Sequence, residues 1–252
     1  MADEDAPPVR IQLHGRFAVA VDGRTVEHSL PGRRARLLVA VLAHAHRGAV
    51  ERSALLDILW RPTEPGDGAA ATFSALLSKV RTLLAPAEIR GRGCLQLVLP
   101  AGSVVDAAVA EGALHAAESA SAREDWPRAW TEALSALFVT QRGFLGDFDD
   151  PWSEDRRRDA AHRHRRVLAC YGEACLHLGP GELGGAERSA RALIDLDPLA
   201  ETGHRLLMRA LVAQDDRAAA LGVYEQMRRA LREQLGTAPS ASTRELHAAL
   251  LR

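Results

Sequence analysis

The stretch ATFSALLSKVRTLL, residues 71–84, has the pattern of a short amphipathic helix. At 100° per residue, with Leu76 as the reference direction, its large apolar side chains fall between about −20° and 100°. These are Phe73, Leu77, Val80, Leu83 and Leu84. The opposite arc carries Ala71, Ala75, Ser78 and Thr82, flanked by Lys79 and Arg81. One face of this helix is therefore predicted to lie against a core, and the other to carry small side chains beside two cations.

The segments before this helix also have clear patterns. Residues 9–27 alternate apolar and polar side chains around Asp22-Gly23, which predicts a β hairpin or a small antiparallel sheet. Residues 33–48 predict a first helix that ends at Gly48, and residues 51–60 predict a second that ends near Pro62. Residues 1–8 predict a disordered tail, and residues 61–68 predict a loop.

The segment after the helix is EIRGRGCLQLVLPAG, residues 88–102. It predicts a second hairpin with Gly91 and Gly93 near the bend. The order of sheet, three helices and hairpin is that of a winged helix, in which the last hairpin is the wing. We therefore predict an α+β winged helix-turn-helix domain over residues 9–105.

Residues 104–252 show helical patterns and no strand signal. Predicted helices cover residues 104–125, 126–139, 154–179, 186–198, 199–215, 216–236 and 238–251, and Ser240 or Ser242 would suit the N-cap of the last. The pairs near 164–198 and 201–239 resemble degenerate tetratricopeptide units, with small residues at the helix contacts. We therefore predict an all-α, tetratricopeptide-like domain over residues 106–252, in a chain that is mainly α.

Charge is spread unevenly along the 252 residues. The net charge is −1, but residues 9–105 hold 13 basic and 7 acidic residues, whereas residues 106–252 hold 19 basic and 23 acidic residues. A modestly basic first half is what a nucleic-acid footprint requires. Three cysteines without a CxxC motif indicate a reducing compartment, and no signal peptide or long apolar run is present, so we expect a cytoplasmic protein without a membrane partner.

Six stretches carry a resemblance to a known family: LLDILW (55–60), SKVRTLL (78–84), RGRGCLQLVLP (90–100), GFLGDFDDPWSEDRR (143–157), DPLAETGHRLLMRAL (197–211) and YEQMRRALREQLGTAPSASTRELHAALL (224–251). The chain resembles the Streptomyces antibiotic regulatory protein (SARP) family from about Val9 to its C-terminus. The last three stretches are the more specific ones, because winged helices are common. Two positions depart from the family pattern: Thr82 replaces an arginine of the third helix, and Cys94 replaces an aromatic residue of the wing.

The resemblance implies a function. SARP proteins are transcription activators with an OmpR-type winged helix and a bacterial transcriptional activator domain. It implies that the first domain binds promoter DNA and that the helical domain contacts RNA polymerase or a second copy in a homodimer on DNA. Whether this chain activates or represses rests on the resemblance alone.

The candidate DNA contacts lie in three places. On the third helix, Lys79 and Arg81 would reach phosphates or guanine, and Ser78 and Thr82 would reach bases or phosphates. At the start of the first helix stand three arginines, where a phosphate partner and a solvated turn are both open readings. In the wing, two arginines flank the glycines and would enter the minor groove or hold the backbone. The five arginines are Arg33, Arg34, Arg36, Arg90 and Arg92.

Other clusters have plainer readings. His44/His46 and His162/His164 are spaced i,i+2, which does not bring helical side chains onto one metal, so surface histidines are expected. Ion pairing along the helix surface is preferred for RRRDAAHRHRR (156–166), and packing for the aromatic connector 140–152 and for Cys170 and Cys175. No nucleophile elbow, P-loop or dinucleotide motif is found, so no enzyme activity, cofactor or metal is expected.

Two hypotheses remain. The first is a DNA-binding transcription activator. The alternative is a helical interaction module whose winged helix has lost DNA binding, which the alanine-rich face of the third helix, Thr82 and Cys94 would explain.

Overall fold

The computed structural model describes residues 7–60 and 69–252. These residues form two compact units. The N-terminal unit runs to Ala110 and includes Val139–Ala160, and the C-terminal unit comprises Glu111–Phe138 and Ala161–Arg252. The predicted loop 61–68, the helix end near Pro62 and most of the predicted N-terminal tail lie outside the described residues.

The N-terminal unit begins with a four-stranded sheet in the order β3-β2-β1-β7. Its strands are β1 (Val9–Gln12), β2 (Ala18–Val21), β3 (Arg24–Thr25) and β7 (Val104–Val105). The predicted turn is confirmed, because Asp22 and Gly23 both have positive φ between the antiparallel strands β2 and β3. The expectation of no strand after residue 103 is wrong: β7 pairs in parallel with β1. A two-residue strand leaves too little alternation to be seen in sequence.

Three helices and a second sheet complete the order of this unit. The helices are α1 (Gly32–His44), α2 (Arg52–Leu59) and α3 (Ala69–Leu84). The second sheet has the order β4-β6-β5, with β4 (Val50–Glu51), β5 (Glu88–Arg90) and β6 (Cys94–Val98). The hairpin β5-β6 was predicted, whereas β4 was not, because Val50 lies between the two predicted helices and Glu51 was assigned to the start of the second.

Burial confirms the two faces predicted for α3. Phe73, Leu77, Val80 and Leu84 are buried, and Ala71, Ala75, Ser78 and Thr82 are exposed. Residues of α3 share one core with α1, whose positions 37–43 are all buried, and with the first sheet. Burying each large apolar side chain contributes roughly 1.5–3 kcal/mol, so this core fixes which face of α3 is exposed to solvent.

The aromatic connector, residues 140–152, packs into the core of the N-terminal unit. Phe144, Leu145 and Phe148 are buried in its core, which confirms the prediction that these residues pack. Phe144 meets the rings of His14 and His44 edge to face. The expectation that His44 and His46 are surface residues is only partly met, because both are half-buried.

The Asp106 side chain, directly after β7, bonds to the backbone directly after β1. Its carboxylate accepts hydrogen bonds from the backbone N–H groups of Leu13 (2.7 Å) and His14 (3.0 Å). Burial opposes the charge, but the neighbouring His14 ring and these two N–H groups outweigh it and lower the pKa of Asp106. Because the side chain is only 13% exposed, these bonds are little screened by solvent.

Seven further α-helices follow in sequence. Their bounds are α4 (Asp106–Ser121), α5 (Trp126–Thr140), α6 (Pro151–Leu178), α7 (Leu183–Leu196), α8 (Glu201–Ala213), α9 (Arg217–Leu235) and α10 (Ala241–Leu250). Within the C-terminal unit, Leu168, Leu193, Leu206 and Met227 belong to one buried cluster of the last five helices. Ser240 occupies the N-cap position of α10, as predicted, but its hydroxyl donates to the Glu201 carboxylate (2.6 Å) instead of capping α10.

Glycines permit the close approach of helices in the C-terminal unit. A Cβ on Gly203 would lie 2.9 Å from Leu193 Cβ, and one on Gly185 would lie 2.9 Å from Cys175 Sγ. A Cβ on Gly172 would meet Leu206 Cδ2 at 2.5 Å. The predicted small residues at helix contacts are therefore confirmed at these positions.

Candidate nucleic-acid interface

The exposed face of α3 carries four of the predicted site residues side by side. Ser78, Lys79, Arg81 and Thr82 are all exposed. Lys79 makes no hydrogen bond or ion pair with any described residue. Thr82 Oγ1 donates to the Ser78 carbonyl (3.2 Å), which turns its hydrogen back onto the helix and leaves its oxygen as an acceptor. This face therefore offers two small hydroxyls and the ammonium group of Lys79, which is unpaired among the described residues.

The hairpin β5-β6, which the sequence predicts to be the wing and which keeps that name below, has a tight turn at Gly91–Gly93. Gly91 has a φ of 96°, and a Cβ there would overlap the Cys94 carbonyl, so only glycine fits. Arg92 is exposed and has no partner among residues 7–60 and 69–252. Arg90 is also exposed, but its Nε donates to Glu88 Oε2 at 2.7 Å. The tip of the wing thus presents the Arg92 guanidinium, which is unpaired within the part of the chain that the structure describes.

Arg81 connects α3 with the wing. Its Nε donates to the Ile89 carbonyl (2.9 Å), and its Nη2 donates to the Gly91 carbonyl (3.2 Å). The structure therefore brings the predicted residues of α3 next to those of the wing. It also shows that part of the Arg81 donor fork, which sequence reasoning assigned to DNA, is occupied within the protein.

Arg52 is a residue that sequence reasoning missed. Its Nη2 donates to Ser74 Oγ (2.9 Å), and its guanidinium lies 4.5 Å from the centre of the Phe73 ring. Its backbone N–H donates to the Gly93 carbonyl (2.8 Å). Arg52 thus touches α3 and the wing together, and no local sequence signal distinguishes it from an ordinary first residue of a helix.

The three arginines at the start of α1 are placed differently. Arg33 forms an ion pair with Asp149. Arg34 donates from Nε to the Leu59 carbonyl (3.1 Å) and lies over Trp60 at 4.9 Å. Arg36 is half-buried and pairs with no described residue. The structure therefore gives Arg33 and Arg34 partners inside the protein.

Arg33 and Arg34 also line a cavity of about 530 Å³. Four aspartates share its wall: Asp57, Asp149, Asp150 and Asp155. Acids outnumber cations on this surface, which makes it a poor place for a phosphate. Around α3 and the wing the balance is reversed among the described residues: the cations Arg52, Lys79, Arg81, Arg90 and Arg92 outnumber the acids Glu51 and Glu88.

In the basic stretch 156–166, the predicted ion pairs along the helix surface form at Arg156 and Arg158, whereas Arg166 pairs with another helix, α4. Arg156 pairs with Asp159 (3.0 Å), Arg158 pairs with Asp155, and Arg166 pairs with Glu118 (2.7 Å). Within the described residues, no three His, Cys, Asp or Glu side chains are grouped so that they could hold a metal ion.

The two cysteines of α6 are in different surroundings. Cys175 is buried, and desolvation raises the pKa of its thiol to about 11. Burial also raises the pKa of the half-buried Cys170 thiol. Both thiols are therefore protonated at neutral pH, which agrees with the packing role that their sequence positions indicate.

Comparison with known proteins defines the class of this chain. The family model of the bacterial transcriptional activator domain matches residues 105–251, more than half of the chain. This match covers all of α4 to α10, where the more specific sequence motifs lie. The class is thus that of regulators with this helical domain.

Two similar proteins are regulators from Streptomyces and Mycobacterium. Regulatory protein AfsR of Streptomyces coelicolor is 29% identical over 99% of this chain, and transcriptional regulatory protein EmbR of Mycobacterium bovis is 27% identical over 95%. The chain belongs to the SARP family of regulators, which confirms the resemblance seen in its motifs. It spans 25% of AfsR and 62% of EmbR.

A solved structure shows the same fold. The structure of Mycobacterium tuberculosis EmbR in complex with a low affinity phosphopeptide matches 98% of this chain and 66% of its own, with a TM-score of 0.86 and 22% identity. The mainly helical architecture predicted from sequence is therefore confirmed. None of the helices in the described ranges is long and apolar enough to cross a membrane.

Proposed function

We propose that this chain is a DNA-binding transcription regulator and that its N-terminal unit is a winged helix. In this proposal α3 lies in the major groove of promoter DNA, and the turn Gly91–Gly93 lies against the neighbouring backbone or minor groove. The observation that carries the proposal is the surface formed by α3 and the wing, where Lys79 and Arg92 are exposed and unpaired among the described residues.

Within this surface the residues have different tasks. Lys79 and Arg92 bind phosphates. Each cation that neutralises a phosphate releases a counterion from the DNA, and this release favours binding. Ser78 and Thr82 add hydrogen bonds to bases or phosphates. Few side chains here are long enough for bidentate base reading, so much of the specificity comes from DNA shape and from the spacing of two copies.

The arginines of α1 are secondary in this proposal. Arg33 and Arg34 have partners within the N-terminal unit, and the aspartates beside them repel phosphate. Arg36 would contact DNA only where its half-buried side chain reaches a phosphate. Arg90 contributes its charge, reduced by the neighbouring Glu88.

The C-terminal unit supplies protein contacts in this proposal. The family to which it belongs is named for transcriptional activation, and the unit offers several exposed helix faces. We propose that it contacts RNA polymerase or a second copy of the chain, so that the regulator acts as an activator.

A second candidate function is a protein-interaction module without DNA binding. The observation in its favour is the small size of the exposed α3 side chains, among them Ala71 and Ala75. Such a module would regulate transcription through a partner alone.

Selection from a pool of genomic DNA fragments distinguishes the two functions. The tagged full chain is incubated with the pool at about 50 mM and 200 mM salt, and the bound fragments are sequenced. Regulation through DNA predicts enriched fragments upstream of genes, and their amount falls at the higher salt. The absence of any retained DNA at the lower salt contradicts the proposal and supports the interaction module.

A further inference from the structure

The wing turn is fixed on both sides of Arg92. On one side, the Gly91 carbonyl accepts a hydrogen bond from Arg81 Nη2 (3.2 Å). On the other side, the Gly93 carbonyl accepts a hydrogen bond from the backbone N–H of Arg52 (2.8 Å). Arg92 lies between these two anchored carbonyls, with its own side chain exposed.

Both anchors lead back to α3. Arg81 belongs to the C-terminal half of α3, and its second bond, to the Ile89 carbonyl (2.9 Å), fixes the plane of its guanidinium against β5. The Arg52 side chain bonds to Ser74 in the N-terminal half of α3 and stacks on Phe73. The two arginines therefore connect the wing turn to both halves of the same helix.

We infer that Arg81 and Arg52 are positioning residues that clamp the turn Gly91–Gly93 onto α3, and that Arg81 acts through this clamp and not by reading bases. The clamp holds Arg92 at a fixed distance from Lys79. The wing is therefore already ordered before DNA binds, and both cations contact DNA without further ordering of the wing. Preorganisation of this kind strengthens binding by removing an ordering cost. The effect on DNA rests on the proposed function, whereas the clamp itself does not.

A measurement without DNA tests the clamp. Cys94 is the exposed cysteine of the described residues and lies beside the turn, so a nitroxide attached to it reports the mobility of the wing. In the full chain, Arg81→Ala is expected to narrow the nitroxide lines, and Lys79→Ala on the same face is the matched control. Labelled Cys94→Ser protein gives the background from the other thiols. Equal line shapes for wild type and Arg81→Ala, with unchanged circular dichroism, overturn the clamp.

The lysine variant separates charge from geometry. Lysine keeps the positive charge, but it lacks the planar fork from which Arg81 donates to the Ile89 and Gly91 carbonyls. Arg81→Lys is therefore expected to mobilise the Cys94 nitroxide nearly as much as Arg81→Ala. Wild-type mobility in Arg81→Lys would show that charge alone suffices and would contradict the fork geometry.

The second anchor has its own pair of variants. Arg52→Ala removes the guanidinium and keeps the backbone N–H, whereas Arg52→Pro removes both, and proline is tolerated at the first position of a helix. The preceding residue, Glu51, has an extended conformation that proline accepts. Greater nitroxide mobility in Arg52→Pro than in Arg52→Ala is the expected result, and equal mobility contradicts the role of the Gly93 bond.

A double-mutant cycle tests the consequence for DNA. The probe is a duplex from the genomic selection or, if none is enriched, a mixed-sequence 30-base-pair duplex at low salt. Arg92→Ala is expected to weaken binding about eightfold in wild type, from the release of one counterion at 0.1 M salt, but less than about threefold in Arg81→Ala. A full eightfold loss in both backgrounds contradicts positioning. If no duplex binds, the proposed function fails, while the nitroxide spectra still decide the clamp.

Discussion

The residues that identify the family and those proposed to bind DNA lie in contrasting surroundings. In the C-terminal unit, the motif at residues 197–211 contains Gly203, Leu206 and Leu207, all buried against neighbouring helices. In the N-terminal unit, Lys79 and Arg92 are exposed and make no hydrogen bond or ion pair with any described residue. Buried motif residues can be recognised from their pattern and their packing, whereas the role of exposed residues has to be judged from their contacts.

The largest expected effect concerns the exposed surface. The double variant Lys79→Ala, Arg92→Ala is expected to weaken DNA binding about 60-fold at 0.1 M salt, because each lost phosphate contact costs about eightfold there. Its unfolding free energy stays within about 0.5 kcal/mol of wild type, since neither side chain is packed. Fluorescence anisotropy and urea unfolding measure the two quantities. Arg229 of α9 is exposed and has no partner among the described residues, so Arg229→Ala is the matched control and leaves both quantities unchanged.

The next effect is on stability and depends on pH. Asp106→Asn is expected to lower the unfolding free energy by about 2 kcal/mol at pH 7, because bonds to a charged group contribute roughly 1.5–3 kcal/mol. Since the folded pKa of Asp106 is lowered, its contribution is present above the unfolded pKa, about 3.9, and is lost as pH falls through the folded pKa. Urea unfolding at several pH values checks this. A difference between variant and wild type that is constant down to pH 2 contradicts it.

A smaller effect concerns the close packing of helices in the C-terminal unit. Gly203→Ala is expected to cost about 1–2 kcal/mol, because the new methyl group meets Leu193 at 2.9 Å and the Ala190 carbonyl at 3.1 Å. Gly222→Ala in α9, where nothing lies within 4 Å, is the matched control and is expected to stabilise by about 0.5–1 kcal/mol. Thermal unfolding orders the three proteins. Equal stabilities would show that close packing at Gly203 does not contribute.

The smallest effect concerns the arginines of α1. Arg33→Ala is expected to change DNA affinity by less than about twofold and stability by less than about 1 kcal/mol, because its partner is an exposed carboxylate. Anisotropy with the duplex used for Lys79 measures the affinity. A tenfold loss of affinity would place α1 in the interface and change the proposed ranking of the cations.

Helix patterns in the sequence predicted much of this fold. The apolar period of residues 71–84 was enough to give the buried and exposed faces of α3, since a helix in a small domain has a single core to face. The strands β4 and β7 could not be predicted, because each has two residues and is defined by a distant partner. The hairpin turns were predictable because they require glycine.

The candidate site was less predictable than the fold. Sequence reasoning named both Arg33 and Lys79 as candidate DNA contacts and left a solvated turn open for Arg33. In the structure Arg33 pairs with Asp149, which is 116 positions away in the chain. Arg81 bonds to carbonyls that come near only when the wing folds back. Arg52 acts partly through its backbone N–H, which carries no residue signature.

The dependence of DNA binding on salt tests the central claim most directly. The logarithm of the binding constant is plotted against the logarithm of salt concentration for wild type, the Lys79→Ala, Arg92→Ala variant and Arg229→Ala. If the α3 and wing surface holds phosphates through Lys79 and Arg92, the double variant has a slope shallower by about 1.8, and Arg229→Ala matches wild type. A slope equal to wild type in the double variant would contradict the claim that these residues meet DNA.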